Sequence, residues 1–257
     1  MMLQGKVALV TGGSHGIGRG IAYALAREGA RVLVNWSSDK DAAEWTVAKI
    51  KEMGEKAVAI KADVGQIADC HKLVETANST FGHVDFLISN AGIGQPSSIM
   101  NTSDEEWDRV INVNLRATFV LARNLMPGMI KRKYGRVITI SSNIAFLGKG
   151  GGSFATYATS KAGLIAFTKG IAHEGAPYIT ANCIVPGPTN RATVDEREEK
   201  WPPVPSTEEQ SWLGWKIPLN RSGTPEDIAA TVLFLISDSA CFITGQSIHV
   251  SGGSLMP

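Results

Sequence analysis

A run of four apolar residues, Val7–Val10, passes without a break into Thr11-Gly12-Gly13-Ser14-His15-Gly16-Ile17-Gly18 and then into a helical pattern from about Ile17 to Gly29. No other junction constrains the fold as much. A strand feeding a glycine-rich turn that opens a helix brings backbone N–H groups against a pyrophosphate at the positive end of the helix. Gly12, Ser14, His15, Gly16, Ile17 and Gly18 are therefore candidate cofactor contacts. The spacing is G-x-x-x-G-x-G rather than G-x-G-x-x-G. Glycine also serves a tight turn for its backbone angles alone, but the strand before and the helix after favour a nucleotide site.

The alternation continues along the chain. Strand runs are read at Arg31–Trp36, Lys56–Lys61, Val84–Ser89, Arg136–Ser141, Thr180–Ile184 and Ser247–Val250. Helices are read at Ala42–Met53, Cys70–Phe81 and Asp104–Met126, and around Tyr157. Short apolar runs separated by helical patterns argue for βαβ units and a parallel sheet. The runs are apolar throughout, as a sheet covered on both faces requires. The expected fold is α/β, a doubly wound parallel sheet with helices on both faces, in one domain spanning all 257 residues.

Residues 189–224 break this rhythm with Pro202, Pro203, Pro205 and half of the six tryptophans, Trp201, Trp212 and Trp215. A long irregular, aromatic-rich segment inside a compact domain is expected to act as a lid over an apolar pocket. A net charge of +1 gives no support for nucleic-acid or anionic-membrane binding, and no apolar run approaches the roughly 18 residues needed to span a bilayer. Cys70, Cys183 and Cys241 read as separate buried thiols, no Cys/His spacing suggests a metal site, and no signal-peptide pattern stands at the N-terminus. A reducing cytoplasm is the expected compartment.

Tyr157 and Lys161 stand one helical turn apart on the same face. A phenol is a poor acid or base near neutrality, and a neighbouring ammonium favours the phenolate. The same spacing also describes an ordinary exposed helix pair. At the end of the second strand, Asn35-Trp36-Ser37-Ser38 offers hydroxyls where a carboxylate would favour NAD, and His15 and Lys40 are nearby. This points toward NADP, with NAD remaining possible because Asp39 could reach the ribose. Asp63-Val64 reads either as the adenine contact or as a helix cap.

Together these pieces resemble the short-chain dehydrogenase/reductase family over nearly the whole chain. The matching motifs are Thr11-Gly-x-x-x-Gly-x-Gly18, Asp63-Val64, Ser89-Asn90-Ala91-Gly92, Asn112-Val-Asn114, Ser141-Ser142, Tyr157-x-x-x-Lys161, Pro186-Gly187 and Gly252-Gly253. The resemblance implies a Rossmann-like fold with Tyr157 as catalytic acid/base, Lys161 lowering its pKa and bonding the nicotinamide ribose, Ser142 bonding the substrate oxygen and Asn114 supporting a water relay. It implies that Asn90, Ala91 and Gly92 line the cofactor ribose and that Pro186, Gly187 and Thr189 sit beside the nicotinamide. The sequence departs from the pattern at Ser89, at Ser251, at Thr189-Asn190-Arg191 after Pro186-Gly187, and in a longer glycine-rich stretch between Ser142 and Tyr157.

The implied activity is NADP-preferring hydride transfer between a nicotinamide cofactor and a carbonyl or secondary alcohol. The layout is closest to 3-oxoacyl-carrier-protein reductases and to sugar dehydrogenases such as glucose 1-dehydrogenase. The alternative is a non-catalytic dinucleotide-binding regulator on the same fold. Apolar residues along the Tyr157 helix, Leu164, Ile165, Phe167 and Ile171, together with the resemblance, imply a homodimer or homotetramer.

Overall fold

The structure is a computed structural model that describes residues 1–94, 97–147, 154–190 and 217–256. In chain order the elements are β1 (Val7–Val10), α1 (Gly16–Arg27), β2 (Arg31–Trp36), α2 (Lys40–Glu52), β3 (Ala57–Lys61), α3 (Ile67–Phe81), β4 (Phe86–Ser89) and α4 (Asp104–Ile111). A π-helical turn, Asn112–Arg116, links α4 to α5 (Ala117–Lys131). Next come β5 (Gly135–Ile140), α6 (Ile144–Leu147), α7 (Ala155–Gly175), β6 (Ile179–Pro186), α8 (Pro225–Ile236) and β7 (Ser247–Val250). The strands form one sheet in the order β3-β2-β1-β4-β5-β6-β7, and every neighbouring pair is parallel. The expected doubly wound α/β architecture is present.

Strand β1 shows why the run is apolar at every position. Ala8 and Val10 face one side, with Ile21 and Leu25 of α1 and Val232 and Leu235 of α8 in the same cluster. Val7 and Leu9 face the other, in a cluster with Leu73 of α3, Leu121 of α5 and Ile171 of α7. All four β1 residues are fully buried, so alternation of side chains across the strand serves two cores at once. Burying each Leu or Val this fully is worth about 1.5–3 kcal/mol.

Two readings of elements change. The helix expected over Asp104–Met126 is interrupted at Asn112–Arg116, where one extra residue enters the turn, and it then runs on to Lys131. The second change concerns the thiols. Cys70 and Cys183 are buried as expected, but Cys241, just beyond a short 3-10 turn (Asp238–Ala240), is exposed. Helix α8 starts in a capping box, with the Thr224 hydroxyl accepting from the Asp227 N–H and the Asp227 side chain accepting in return, and Pro225 follows the cap. Arg221 grips the Asp227 carboxylate through two bonds of 2.6 and 2.8 Å. Residues 191–216, with all three tryptophans of the expected lid, lie outside the described residues, as do the extra glycines at 148–153.

The chain winds outward from β1 through β2 to β3 and then returns to β4 on the other side of β1. At such a reversal the loops leaving neighbouring strands diverge and open a crevice at the carboxyl ends of the strands. The glycine-rich turn, Asn90–Gly92, Ser141–Asn143 and Pro186–Gly187 all leave the sheet at this end.

Candidate active site

A cleft of about 630 Å³ lies over these strand ends. Its walls include Gly12, His15, Gly16, Ile17 and Gly18 from the first turn and Asn90, Ala91 and Gly92 from the end of β4. Ser142, Tyr157 and Lys161 line the same cleft with Pro186, Gly187 and Thr189. Fourteen of the residues singled out in the sequence thus converge on one cavity.

The first turn is built for close approach. Gly12 has φ +60°, and a Cβ at Gly18 would strike the Gly12 carbonyl and come within 2.6 Å of Asn90 Nδ2. Asn90 Nδ2 donates to the carbonyls of Thr11 and Gly12 at 3.0 and 3.1 Å. The Thr11 hydroxyl oxygen accepts from the N–H groups of Asn90 and Ala91, both at 3.0 Å, and so ties the β1 turn to the β4 turn. Helix α1 begins with an N-cap, His15, that makes no side-chain capping bond among the described residues, and its first turn holds no carboxylate. The positive end of the helix therefore faces the cleft without a capping side chain of its own, and the glycine cradle fits a pyrophosphate.

Beneath this turn Arg19 is 4% exposed and donates to the Ser14 carbonyl at 2.9 and 2.6 Å and to Thr46 Oγ1 at 3.0 Å. Asn35, expected among the cofactor contacts, is buried under the turn instead. Its amide donates to the Ala62 carbonyl at 3.0 Å and its Oδ1 faces the Gly12 N–H at 3.4 Å. It supports the cradle from below because β2 is covered on both faces and these bonds hold the side chain under the turn. Ser37 and Ser38 are exposed beyond β2. Ser14 Oγ lies 3.0 Å from His15 Nδ1, and His15 Nε2 lies 3.0 Å from Asp39 Oδ2. Asp39 caps α2 by accepting from the Ala42 N–H at 3.0 Å; that bond, aided by His15, holds its carboxyl below the usual range.

Asp63 is neither the cap of α3, which is Gln66, nor a free carboxylate. Arg109, 46 residues away, donates to both of its oxygens at 3.0 and 2.8 Å, and the Gly65 N–H donates to Oδ1 at 3.0 Å. Val64, beside it, is buried.

At the opposite end, α7 carries Tyr157 and Lys161. Lys161 is 3% exposed, so the pair is not a solvent-facing one. Its ammonium lies 5.7 Å from the Tyr157 ring centroid and donates to the Ile140 carbonyl at 2.8 Å. Burial pushes this ammonium down from 10.5 to about 8, and the Cys183 thiol nearby opposes the shift. Ser142, at the turn after β5, accepts the Ile144 N–H at 3.3 Å, which leaves its hydroxyl proton to be donated. The neighbouring Ser141 points away and donates to the Lys161 carbonyl at 2.8 Å, tying β5 to α7.

Asn114 sits in the π turn, 1% exposed. Its Oδ1 accepts from the Ile93 N–H at 2.8 Å, and its Nδ2 donates to the Ile93 carbonyl and to Ser160 Oγ, both at 2.9 Å. Ser160 in turn donates to the Tyr157 carbonyl at 2.7 Å. Asn114 thus joins the loop after β4 to α7 rather than being satisfied within its own helix. A π turn is a recurrent device for aiming one side chain out of helical register. Sequence reasoning passed over Thr11, Arg19, Arg109, Ser141 and Ser160 as supports. Thr11, Ser141 and Ser160 carried a local signal: Thr11 opens the glycine motif, and the two serines adjoin Ser142 and Lys161.

A parallel sheet wound this way, with a glycine cradle at its reversal and a Ser–Tyr–Lys set beside it, defines a dinucleotide-dependent oxidoreductase. The chain belongs to the short-chain dehydrogenase/reductase family. A family model described as Enoyl-(Acyl carrier protein) reductase matches residues 12–254. The 3-oxoacyl-(acyl-carrier-protein) reductase of Staphylococcus epidermidis is 40% identical, covering 98% of this chain and 99% of that protein. Its namesake from Escherichia coli is 38% identical over the full length of both. A crystal structure of a short-chain dehydrogenase from Burkholderia cenocepacia in complex with NADP aligns with TM-score 0.83 and 31% identity over 99% of each chain.

Proposed function

We propose that this protein is an NADPH-dependent reductase of 3-oxoacyl thioesters, working as one domain. The observation that carries the reading is the convergence of two hydroxyls, Ser142 and Tyr157, on the cleft that holds the glycine cradle, with the Lys161 ammonium buried behind the phenol. When bound, a nicotinamide dinucleotide supplies the hydride. The protein's part is the developing negative charge on the carbonyl oxygen. Ser142 donates a hydrogen bond to it, and Tyr157 donates a hydrogen bond and then the proton. Lys161 stabilises the phenolate left behind, and its ammonium is also placed to bond a ribose hydroxyl of the cofactor.

Gly92 supports the proton relay expected of Asn114. A Cβ there would lie 3.1 Å from Lys161 Nζ and 3.4 Å from Asn114 Oδ1, so glycine leaves room for a water between the two. Gly12–Gly18 would hold the pyrophosphate, and Asn90 and the Ala91-Gly92 backbone a ribose. Asp63, oriented by Arg109, would meet the adenine edge, and Pro186, Gly187 and Thr189 the nicotinamide. NADP is favoured by the absence of a carboxylate at the end of β2 and by the relatives. Retention of Asn114, Ser142, Tyr157 and Lys161 together argues against a regulator that has lost catalysis.

Among the described residues no helix is long and apolar enough to cross a membrane. Three unpaired cysteines accord with a reducing cytoplasm. Phe119 is 42% exposed and meets Phe167 edge-on at 6.2 Å, and Trp107 on α4 is as exposed, an apolar face suited to a second copy of the chain. Light scattering at micromolar concentration should give a dimer or tetramer; a stable monomer would refute that arrangement.

The activity is tested by following NADPH consumption with a 3-oxoacyl thioester, a 2-enoyl thioester and NADP reduction with glucose. Turnover of the 3-oxoacyl thioester at least a hundredfold above the other two is expected. Preference for glucose would make the protein a sugar dehydrogenase, and preference for the enoyl thioester would move the chemistry to a carbon–carbon double bond.

A further inference from the structure

We propose that Asn143 is a positioning residue for Ser142, and that Ser254, in the turn after β7, holds Asn143 in place. The inference rests on the reading of Ser142 as hydrogen-bond donor to the substrate oxygen. Among the described residues, the one hydrogen bond of the Ser142 hydroxyl is the 3.3 Å contact with the Ile144 N–H. Where that hydroxyl points is therefore set by the backbone of its turn, and the next residue anchors the turn twice. The Asn143 N–H donates to the Pro186 carbonyl at 3.0 Å, and Asn143 Nδ2 donates to Ser254 Oγ at 3.0 Å. Asn143 is 1% exposed and lines the cleft beside Ser142.

Ser254 stands 111 positions further along the chain and is itself held by a compact turn. Its N–H donates to the Ser251 carbonyl at 3.1 Å, and Gly252 and Gly253 supply the positive φ values, +61° and +84°, that close the turn. This turn packs on the one after β6. The Gly187 N–H donates to the Val250 carbonyl at 3.0 Å, and a Cβ on Gly187 would lie 2.9 Å from Ser254 Oγ. Asn143 thus ties the turn after β5 to those after β6 and β7. Stability alone does not account for an amide at this position. Asn143 Oδ1 is buried and has no hydrogen-bond partner among the described residues. A buried acceptor left unpaired costs stability, and leucine, of similar size, would fill the space without that cost. Leucine would not offer Ser254 a directional donor. The bond to Ser254 gives the serine turn one orientation, which a donor aimed at developing charge requires.

Steady-state reduction of a 3-oxoacyl thioester by NADPH, with the whole protein, tests this in Ser254→Ala, Asn143→Leu, Ser142→Ala and the double variant Ser142→Ala/Ser254→Ala. Ser254→Ala and Asn143→Leu should each lower kcat by about tenfold or more, the cost of a misplaced catalytic group, with both KM values within about threefold of wild type. Asn143→Leu should melt no lower than wild type, which separates lost positioning from lost folding. In the Ser142→Ala background, Ser254→Ala should cost less than about twofold, because the group it positions is already gone. A kcat within about twofold of wild type in Ser254→Ala or in Asn143→Leu would overturn the inference and leave the reductase reading intact. A loss from Ser254→Ala that is as large without the Ser142 hydroxyl as with it would do the same. Ser142→Ala as active as wild type, or wild-type protein idle on the 3-oxoacyl thioester, would overturn the two together.

Discussion

Lys161 and Ile140 define the buried end of the site: the Lys161 ammonium, 3% exposed, donates to the Ile140 carbonyl at 2.8 Å one helical turn from Tyr157. A cation held there, out of water, is costly, and its ammonium is pushed down from 10.5 to about 8. Between those values the unfolded chain binds more protons than the folded one, so stability rises with pH across this window. The penalty is complete below pH 8 and gone above 10.5.

That sign gives the first prediction. Lys161→Met removes the penalty along with the cation. The variant should lose turnover, yet gain about 1–2 kcal/mol of stability over wild type at pH 7, the relieved charging penalty less the cost of stranding the Ile140 carbonyl. The gain should shrink toward zero or below by pH 10. Urea unfolding of both proteins at the two values checks it, and an unchanging difference would mean that Lys161 is not held in a charge-averse site.

Tyr157→Phe keeps the ring, which stands 6.2 Å from Phe154, and removes only the hydroxyl. Rate should fall by about 10²–10⁴, the usual worth of a positioned acid/base. Dinucleotide affinity measured by fluorescence should stay within twofold. Full activity in this variant would show that the phenol is not the proton donor.

Asn114→Ala leaves the N–H and carbonyl of Ile93 and the Ser160 hydroxyl without their present partner. The buried Ser160 bond is worth about 1–3 kcal/mol when its partner is lost, and the two half-buried Ile93 groups less each. A loss of roughly 3 kcal/mol is expected in urea unfolding, together with reduced turnover as the loop after β4 loosens. The Asp63–Arg109 pair is the contrast, since both side chains are a third or more exposed. Asp63→Asn should change stability by less than about 1 kcal/mol. If Asp63 meets the adenine, its effect will appear in dinucleotide affinity.

What could be read beforehand followed from local rules. The Tyr157–Lys161 spacing sets a shared helical face, and glycines between a strand and a helix mark a cradle, so the sheet and most of the cleft were legible. The bonds of Asn114 to Ile93 and Ser160 were not legible, because a single inserted residue at Asn112–Arg116 leaves no mark in an apolar period. Asn35 turned inward because β2 is covered on both faces, so its fifth position is buried whichever side it takes. The Arg109–Asp63 and His15–Asp39 pairs depend on packing between separate βαβ units, and sequence periodicity carries no information about such meetings. Cys241 looked like any thiol in an apolar stretch, but its exposure is decided by where the turn after α8 ends.

Two Gly→Ala substitutions separate the cradle from ordinary helix. At Gly18 the new methyl would meet the Gly12 carbonyl and Asn90 Nδ2, both fixed by the turn, so the β1–α1 junction must open. Overpacking of this kind costs about 1–3 kcal/mol, and dinucleotide binding should be lost with it. At Gly170, inside α7, nothing lies within 4 Å of the added carbon. There alanine's helix preference should stabilise the protein by about 0.5–1 kcal/mol and leave dinucleotide binding unchanged. Thermal unfolding with and without NADPH checks both. The Gly18 variant should melt lower and show no shift with nucleotide, whereas the Gly170 variant should melt higher and keep the full shift. If Gly18→Ala still binds NADPH normally, the pyrophosphate does not rest on this turn, and the cradle must be sought elsewhere along the strand ends.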